Sequence, residues 1–176
     1  AEKASIAQKA FEQIKEGETV FLDISTTNVL LAGLLAKGQK RCIVISNMVD
    51  VLQTLATNPA LTVICTGGYV NLETNGYTGA LTVSMLEQLR FDRAFFGAVG
   101  VDLDSGDVTT FDVDDGLVKS CVIKRARERY LVVDTHKFKA GGNYRYAQLA
   151  DFETVITDSP SPATKKALKA LHVECI

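Results

Sequence analysis

The chain has little that would tie it to a membrane, a metal ion or a nucleic acid. No apolar run reaches the ~18–20 residues of a membrane-spanning helix, and no basic-then-apolar leader opens it. Across 176 residues the formal net charge is only −2, so the basic footprint of a nucleic-acid-binding domain is missing. The four cysteines, Cys42, Cys65, Cys121 and Cys175, stand far apart. Without Cys-x-x-Cys or a nearby Cys/His pairing, a zinc site is not expected, and the two histidines, His136 and His172, do not build one unaided. The expectation is reduced thiols packed in the core as small hydrophobes in a cytoplasmic protein, with no metal and no cofactor. Gly-x-Gly-x-x-Gly is absent, which disfavours a dinucleotide site, and there is no Walker-type phosphate loop.

What is present is an alternation of Val/Ile/Phe-rich runs with helix-period segments. Such βαβα order predicts an α/β fold, a mostly parallel, Rossmann-like sheet flanked by helices on both faces. The spacing predicts helices over 4–15, 26–37, 47–56, 79–90, 113–128 and 161–171. It predicts parallel strands at 19–23, 41–45, 61–65, 93–97, 130–134, 154–157 and 173–175. Asp104-Ser-Gly-Asp107 reads as a hairpin turn. Residues 69–77 read as a loop with at most a short strand, and 135–146 as a polar loop. Helix 113–128 is expected to bury Val113, Leu117, Val118, Cys121 and Val122, and helix 79–90 to bury Leu81, Met85, Leu86 and Leu89. No linker, repeat or low-complexity tract divides the chain, so one domain spans 1–176. The start directly on a helix, with no Met, suggests a domain cut from a longer protein or a processed start.

The most informative segment runs from Glu18 to Ala32. A buried strand ends in Asp23, three hydroxyl residues follow (Ser25, Thr26 and Thr27), and a helix begins. A helix N-terminus presents four unpaired N–H groups and a partial positive charge, a ready anion site to which hydroxyls add donors. The same residues are also ordinary helix caps. Other strand exits likewise carry small or polar residues: Ser46 and Asn47, then Gly67 and Gly68, then Gly97 through Asp102, then Asp134 through Lys137. In an open α/β sheet, ligands bind beyond these carboxyl ends. Gly67 and Gly68 satisfy either a turn needing positive φ or a close ligand approach. Lys119, beside the apolar positions of its helix, is either a solvated lysine or a ligand cation. Turn and helix-start chemistry accounts for Asp104, Asp107, Asp114 and Asp115, and leaves Asp102 unexplained.

Taken in order, Asp23-Ile-Ser-Thr-Thr27, Ser46-Asn47, Gly67-Gly68, Gly79 and Asp92-Arg-Ala-Phe-Phe-Gly-Ala-Val-Gly-Val-Asp102 form the first part of a family pattern. Gly106, Lys119, Asp134-Thr-His-Lys-Phe138 and Val155-Ile-Thr-Asp158 complete it. The pattern resembles the C-terminal sensor domain of the DeoR family of bacterial transcriptional repressors, over roughly residues 5 to 175. The resemblance implies the fold shared by ribose-5-phosphate isomerase, sugar-phosphate deaminases and CoA transferases. It also implies a phosphorylated sugar or sugar-like effector, a homo-oligomer (dimer or tetramer), and operator DNA bound through an N-terminal winged helix-turn-helix domain lying outside this chain. One departure shows: the family's first loop reads Asp-x-Gly-Thr-Thr, and Ser25 stands in place of its glycine.

The site expected on this basis comprises Asp23, Ser25, Thr26, Thr27, Ser46, Asn47, Gly67, Gly68, Gly97, Gly100, Asp102, Lys119 and Lys137. Phosphate would sit on the hydroxyls at 25–27, Asp23, Asn47 and Asp102 would meet sugar hydroxyls, and Lys119 with Lys137 would supply positive charge. The rival reading is an aldose–ketose isomerase on the same scaffold. It needs a carboxylate base and an acid partner, for which Asp102 and Lys119 are the candidates.

Overall fold

Short β-branched and aromatic runs become strands here because helices cover both of their faces. The computed structural model describes residues 1–176. In chain order the first elements are α1 (Glu2–Gln13), β1 (Thr19–Leu22), α2 (Thr26–Lys37), β2 (Ile43–Ser46), α3 (Val49–Leu55) and β3 (Thr62–Cys65). Next come β4 (Tyr69–Asn71), β5 (Gly76–Thr78), α4 (Ala80–Leu86), β6 (Phe91–Phe96), β7 (Gly100–Val101) and β8 (Asp107–Thr110). The chain closes with α5 (Val113–Ile123), β9 (Ala126–Val132), β10 (Tyr144–Gln148), β11 (Thr154–Ile156), α6 (Pro162–Ala170) and β12 (Glu174–Cys175).

Seven strands form one sheet in the order β12-β11-β9-β6-β1-β2-β3, every neighbouring pair parallel. The chain winds outward from β1 to β3, then returns to lay β6 on the other side of β1. The winding direction therefore reverses between β1 and β6, and the crevice of such a sheet opens at that point. Asn28, the third residue of α2, stitches the two strand ends together: its Nδ2 donates to the carbonyls of Asp23 (2.9 Å) and Phe95 (3.0 Å). On one face α1, α2 and α3 pack over Ile6, Leu31, Val44, Leu55 and Phe95. On the other, α4, α5, α6 and the small β7–β8–β10 sheet pack over Phe21, Leu86, Phe96, Val118, Phe152 and Leu168.

Several local expectations change. The 135–146 loop contains a 3-10 turn at Thr135–Lys139 and, at its end, β10 antiparallel to β8. Residues 69–78 form the β4–β5 hairpin. The helix expected to run to 128 stops at Ile123, and β9 starts at Ala126, earlier than expected. Most informative is the inside of α5. Asp115, Gly116, Val118, Lys119, Val122 and Ile123 face the core, whereas Val113 and Leu117 are exposed, as is Leu81 on α4. Cys65, expected in the core, is exposed too. No helix is long and apolar enough to cross a membrane.

Candidate functional site

The crevice at the switch point holds a cavity of about 210 Å³. Its walls are the exits of three adjacent strands: Ile24–Thr27 after β1, Gly97–Val99 after β6, and Val132, Val133, Asp134 and Lys137 at the end of β9. Lys3 from α1, Thr74 from the β4–β5 turn, and Thr110, Asp115 and Lys119 from the β8–α5 segment complete the lining.

The inner end is a sealed charge cluster. Lys119 Nζ lies 2.6 Å from Asp23 Oδ2 and 3.0 Å from Asp115 Oδ2, and Thr110 Oγ1 donates to Asp115 at 2.8 Å. Asp23 Oδ2 also accepts the Gly97 N–H at 3.1 Å, while its Oδ1 and the Thr74 Oγ1 are buried with no protein partner. Burial pushes the Asp23 carboxyl up to about 6 against the pull of Lys119, and the Asp115 charge pushes the same way. Burial works against the Lys119 ammonium, but Asp23 and Asp115 outweigh it and hold its pKa above the usual lysine value. Tyr146, on β10, donates to the Gly97 carbonyl at 2.7 Å; burial and the two nearby carboxylates push its hydroxyl well up, so it remains a donor.

The outer end is positive and rich in donors. Ser25 is the N-cap of α2 but makes no side-chain cap bond, which leaves its hydroxyl free beside the first N–H groups of the helix. Thr26 Oγ1 accepts from Lys3 Nζ at 2.8 Å. Lys137 is aimed inward by the turn that carries it. Asp134 caps that turn through the His136 N–H (3.0 Å), and Asp158 receives the Thr135 N–H (2.9 Å). At the rim, ligand atoms of Glu2, Asp134 and His136 come within 4.8 Å of one another, a grouping invisible in sequence because Glu2 is so distant from the other two.

Ser25 adopts extended backbone, φ −166°, which any residue accepts, so the loop does not require a glycine's left-handed conformation. The space is supplied across the crevice instead. A Cβ on Gly97 would sit 2.9 Å from Ser25 Cβ and 3.2 Å from the Ile24 carbonyl oxygen.

Of the residues expected from the sequence, Ser25, Thr26, Thr27, Gly97, Lys119 and Lys137 line the cavity, and Asp23 lies directly beneath it against Lys119. The other six are elsewhere. Ser46 and Asn47 leave β2, on the far side of β1 from the crevice. Ser46 Oγ donates to the Leu22 carbonyl at 2.7 Å, and Asn47 Nδ2 donates to the Tyr77 carbonyl at 2.9 Å, anchoring the β4–β5 hairpin. Gly67 and Gly68 both have positive φ, and the close approach at Gly68 is to Thr82 of the same chain. Gly100 packs on the Ala140 backbone. Asp102 is exposed and accepts the N–H groups of Asp104 (2.8 Å) and Ser105 (3.2 Å), a turn role that lowers its pKa through those bonds. Sequence reasoning missed Lys3, Thr74, Thr110 and Asp115 as lining residues; only Asp115 carried a signal, its four-residue spacing from Lys119 on one helix face.

The description "DeoR C terminal sensor domain" matches residues 1–159. The chain is 32% identical to the glycerol-3-phosphate regulon repressor of Escherichia coli (strain K12) over 163 residues, 93% of this chain and 64% of that protein. It is 33% identical to the lactose phosphotransferase system repressor of Streptococcus mutans over 159 residues, 89% of this chain and 62% of that protein. It thus spans somewhat under two thirds of the length of these relatives. Among solved structures, ribose 5-phosphate isomerase A from Methanocaldococcus jannaschii superposes with a TM-score of 0.55 at 18% identity, over 77% of this chain and 53% of that one. The eIF2B beta subunit from Chaetomium thermophilum superposes with a TM-score of 0.62 at 15% identity, over 97% of this chain and 52% of that one. At such identities the structures share the fold and nothing finer. By its family match and its repressor relatives, the chain belongs to the DeoR C-terminal sensor domains.

Proposed function

We propose that this chain is the effector-sensing part of a transcriptional regulator and that its effector is a phosphorylated sugar or polyol, held in the β1–β6 crevice. The observation that carries the reading is the charge polarity of that cavity. Its outer end combines the α2 N-terminus, the hydroxyls of Ser25, Thr26 and Thr27, and the cations Lys3 and Lys137, a set suited to a phosphate dianion. Its inner end holds Asp23, Asp115 and a single lysine already bonded to both, suited to neutral hydroxyls and hostile to a second anion. The relatives named for glycerol-3-phosphate and for lactose phosphotransfer regulation support a metabolite of this class.

DNA would be contacted by a segment outside these residues. The effector would act by binding the DNA-competent and DNA-incompetent forms with different affinity, since equal affinity for both shifts nothing. The isomerase alternative is not favoured: Asp102, its candidate base, lies on the β7–β8 turn away from the cavity, and the named relatives are repressors.

Calorimetric titration tests the reading with sugar and polyol phosphates, their unphosphorylated forms, and phosphate alone. Binding should require the phosphate and should weaken about tenfold in Thr27→Val, the loss of one hydrogen bond to a charged group. Unchanged affinity in Thr27→Val and Lys137→Ala together would remove the phosphate from this cavity.

A further inference from the structure

The Glu2, Asp134 and His136 grouping at the rim has local explanations for two of its members and none for its assembly. Glu2 stands in the first turn of α1, where an acid suits the helix dipole, and Asp134 caps the turn after β9 with one oxygen. Neither role calls for His136, whose ring Nε2 lies 3.6 Å from Glu2 Oε2. That separation is too long for a hydrogen bond. With the two side chains 79% and 53% exposed, an ion pair there contributes little. The distance is close to the spacing of two atoms bound to one metal ion: ligands ~2.0–2.2 Å from a tetrahedral centre stand about 3.3–3.5 Å apart. An Asp134 carboxylate oxygen completes the set, all three ligand atoms lying within 4.8 Å of one another.

Both elements that carry these ligands are held in place from elsewhere. Lys3 Nζ donates to Thr26 Oγ1 at 2.8 Å and Lys9 Nζ to the Thr157 carbonyl at 2.9 Å, which fixes α1 across the ends of β1 and β11. The Thr135–Lys139 turn is fixed by the Thr135 N–H on Asp158 Oδ1 and the His136 N–H on Asp134 Oδ1. Asp134 is the rigid member of the three: it is 8% exposed, and only its Oδ1 is engaged in the turn. Of the two nearby cations, Lys3 is bonded to Thr26 and Lys137 lines the cavity, so neither closes on the carboxylates as an ion pair.

We propose that Glu2, Asp134 and His136 form a divalent metal site of the zinc class, which clamps the first turn of α1 to the turn that carries Lys137. One imidazole nitrogen with two carboxylate oxygens is a donor set suited to Zn²⁺, whereas Mg²⁺ and Ca²⁺ favour sets made of oxygen alone. The two carboxylates balance the charge of the ion, and the ion removes the repulsion between them. Three protein ligands leave a further coordination position. Asp134 and Lys137 both line the cavity, so the ion stands at its rim, with that position available to water or to an anionic oxygen of whatever the cavity holds. The site does not depend on the effector being a phosphorylated sugar.

Calorimetric titration of zinc chloride into the chelator-stripped 176-residue chain tests this. One Zn²⁺ per chain should bind, and Tm should rise with zinc concentration, as it does for any ligand that favours the folded state. Glu2→Gln, Asp134→Asn and His136→Gln should each weaken binding about tenfold or more, since even a change behind the ligands costs that much. Without metal these variants should keep the natural Tm: Glu2 and His136 are mostly exposed, and an asparagine at 134 still accepts the His136 N–H. Thiols are the competing zinc ligands, and Cys65 is the exposed one; Cys65→Ser should bind as the natural chain does. Added zinc should move the ring NMR signals of His136 and leave those of His172 in place. A natural chain without saturable zinc binding would overturn the proposal. So would binding that survives His136→Gln undiminished, binding that is lost in Cys65→Ser, or zinc that leaves the His136 ring signals unmoved.

Discussion

Lys119 Nζ sits 2.6 Å from Asp23 Oδ2 with both side chains at most 3% exposed, so a sealed ion pair joins α5 to the end of β1. A buried charge that loses its partner costs far more than the intact pair contributes. Lys119→Met would leave Asp23 and Asp115 buried without a cation. Urea denaturation should show a loss of about 3–5 kcal/mol, while the exposed Lys124→Met should change stability by less than about 0.5 kcal/mol.

Asp23 also makes stability depend on pH in a direction opposite to that of most carboxylates. Burial raises it from 3.8 to about 6 in the fold. Between those values the folded chain holds a proton that the unfolded chain has released. Stability from this group is therefore fully present below pH 3.8 and is lost as pH rises through about 6. Asp23→Asn removes that term. The stability difference between the natural chain and the variant, followed by chemical denaturation from pH 4 to 7, should shift toward the variant as pH rises. A difference that shifts toward the natural chain over this window would contradict the raised value.

Lys3 and Lys137 reach the outer end of the cavity from α1 and from the turn after β9. Neither holds up the core. Lys3→Ala and Lys137→Ala should leave Tm unchanged and each weaken a phosphorylated ligand about tenfold, as loss of one charge-assisted bond does. Raising the salt concentration should weaken the natural chain more than either variant, because these exposed charges are the screened part of the interaction.

The parallel sheet was legible because β1, β2, β6 and β9 are apolar runs with turn residues at their exits. The crevice was legible because Asp23 through Thr27 combine a strand end with a helix start. Strand order was not legible. Without knowing that β6 returns beside β1, the exits of β2 and β3 look as good as that of β6, and so Ser46, Asn47, Gly67 and Gly68 joined the expected site. The face of α5 was misjudged for a related reason. Periodicity assigns apolar residues inward, but Asp115 and Lys119 satisfy each other, Asp23 and Thr110 inside, which turns Val113 and Leu117 outward. Tertiary pairing overrode the pattern. Lys3 and Thr74 are joined to the cavity only by folding, and no local signal marks them.

Ser25 and Gly97 face each other across the mouth of the crevice, and their sizes are linked. In the family's pattern a glycine holds the first position; here the serine side chain occupies the space that a Gly97 side chain would need. Gly97→Ala places a Cβ 2.9 Å from Ser25 Cβ and 3.2 Å from the Ile24 carbonyl oxygen. An added methyl in packed surroundings costs about 1–3 kcal/mol. Ser25→Gly alone is compatible with the backbone, since φ is −166°, and should cost only a few tenths of a kcal/mol as an N-cap change. The double variant should recover part of the Gly97→Ala loss, because the serine contact disappears while the Ile24 contact remains. A double-mutant cycle on urea denaturation reads this as a coupling of about 0.5–2 kcal/mol. Additive losses would mean that the two positions do not share this space.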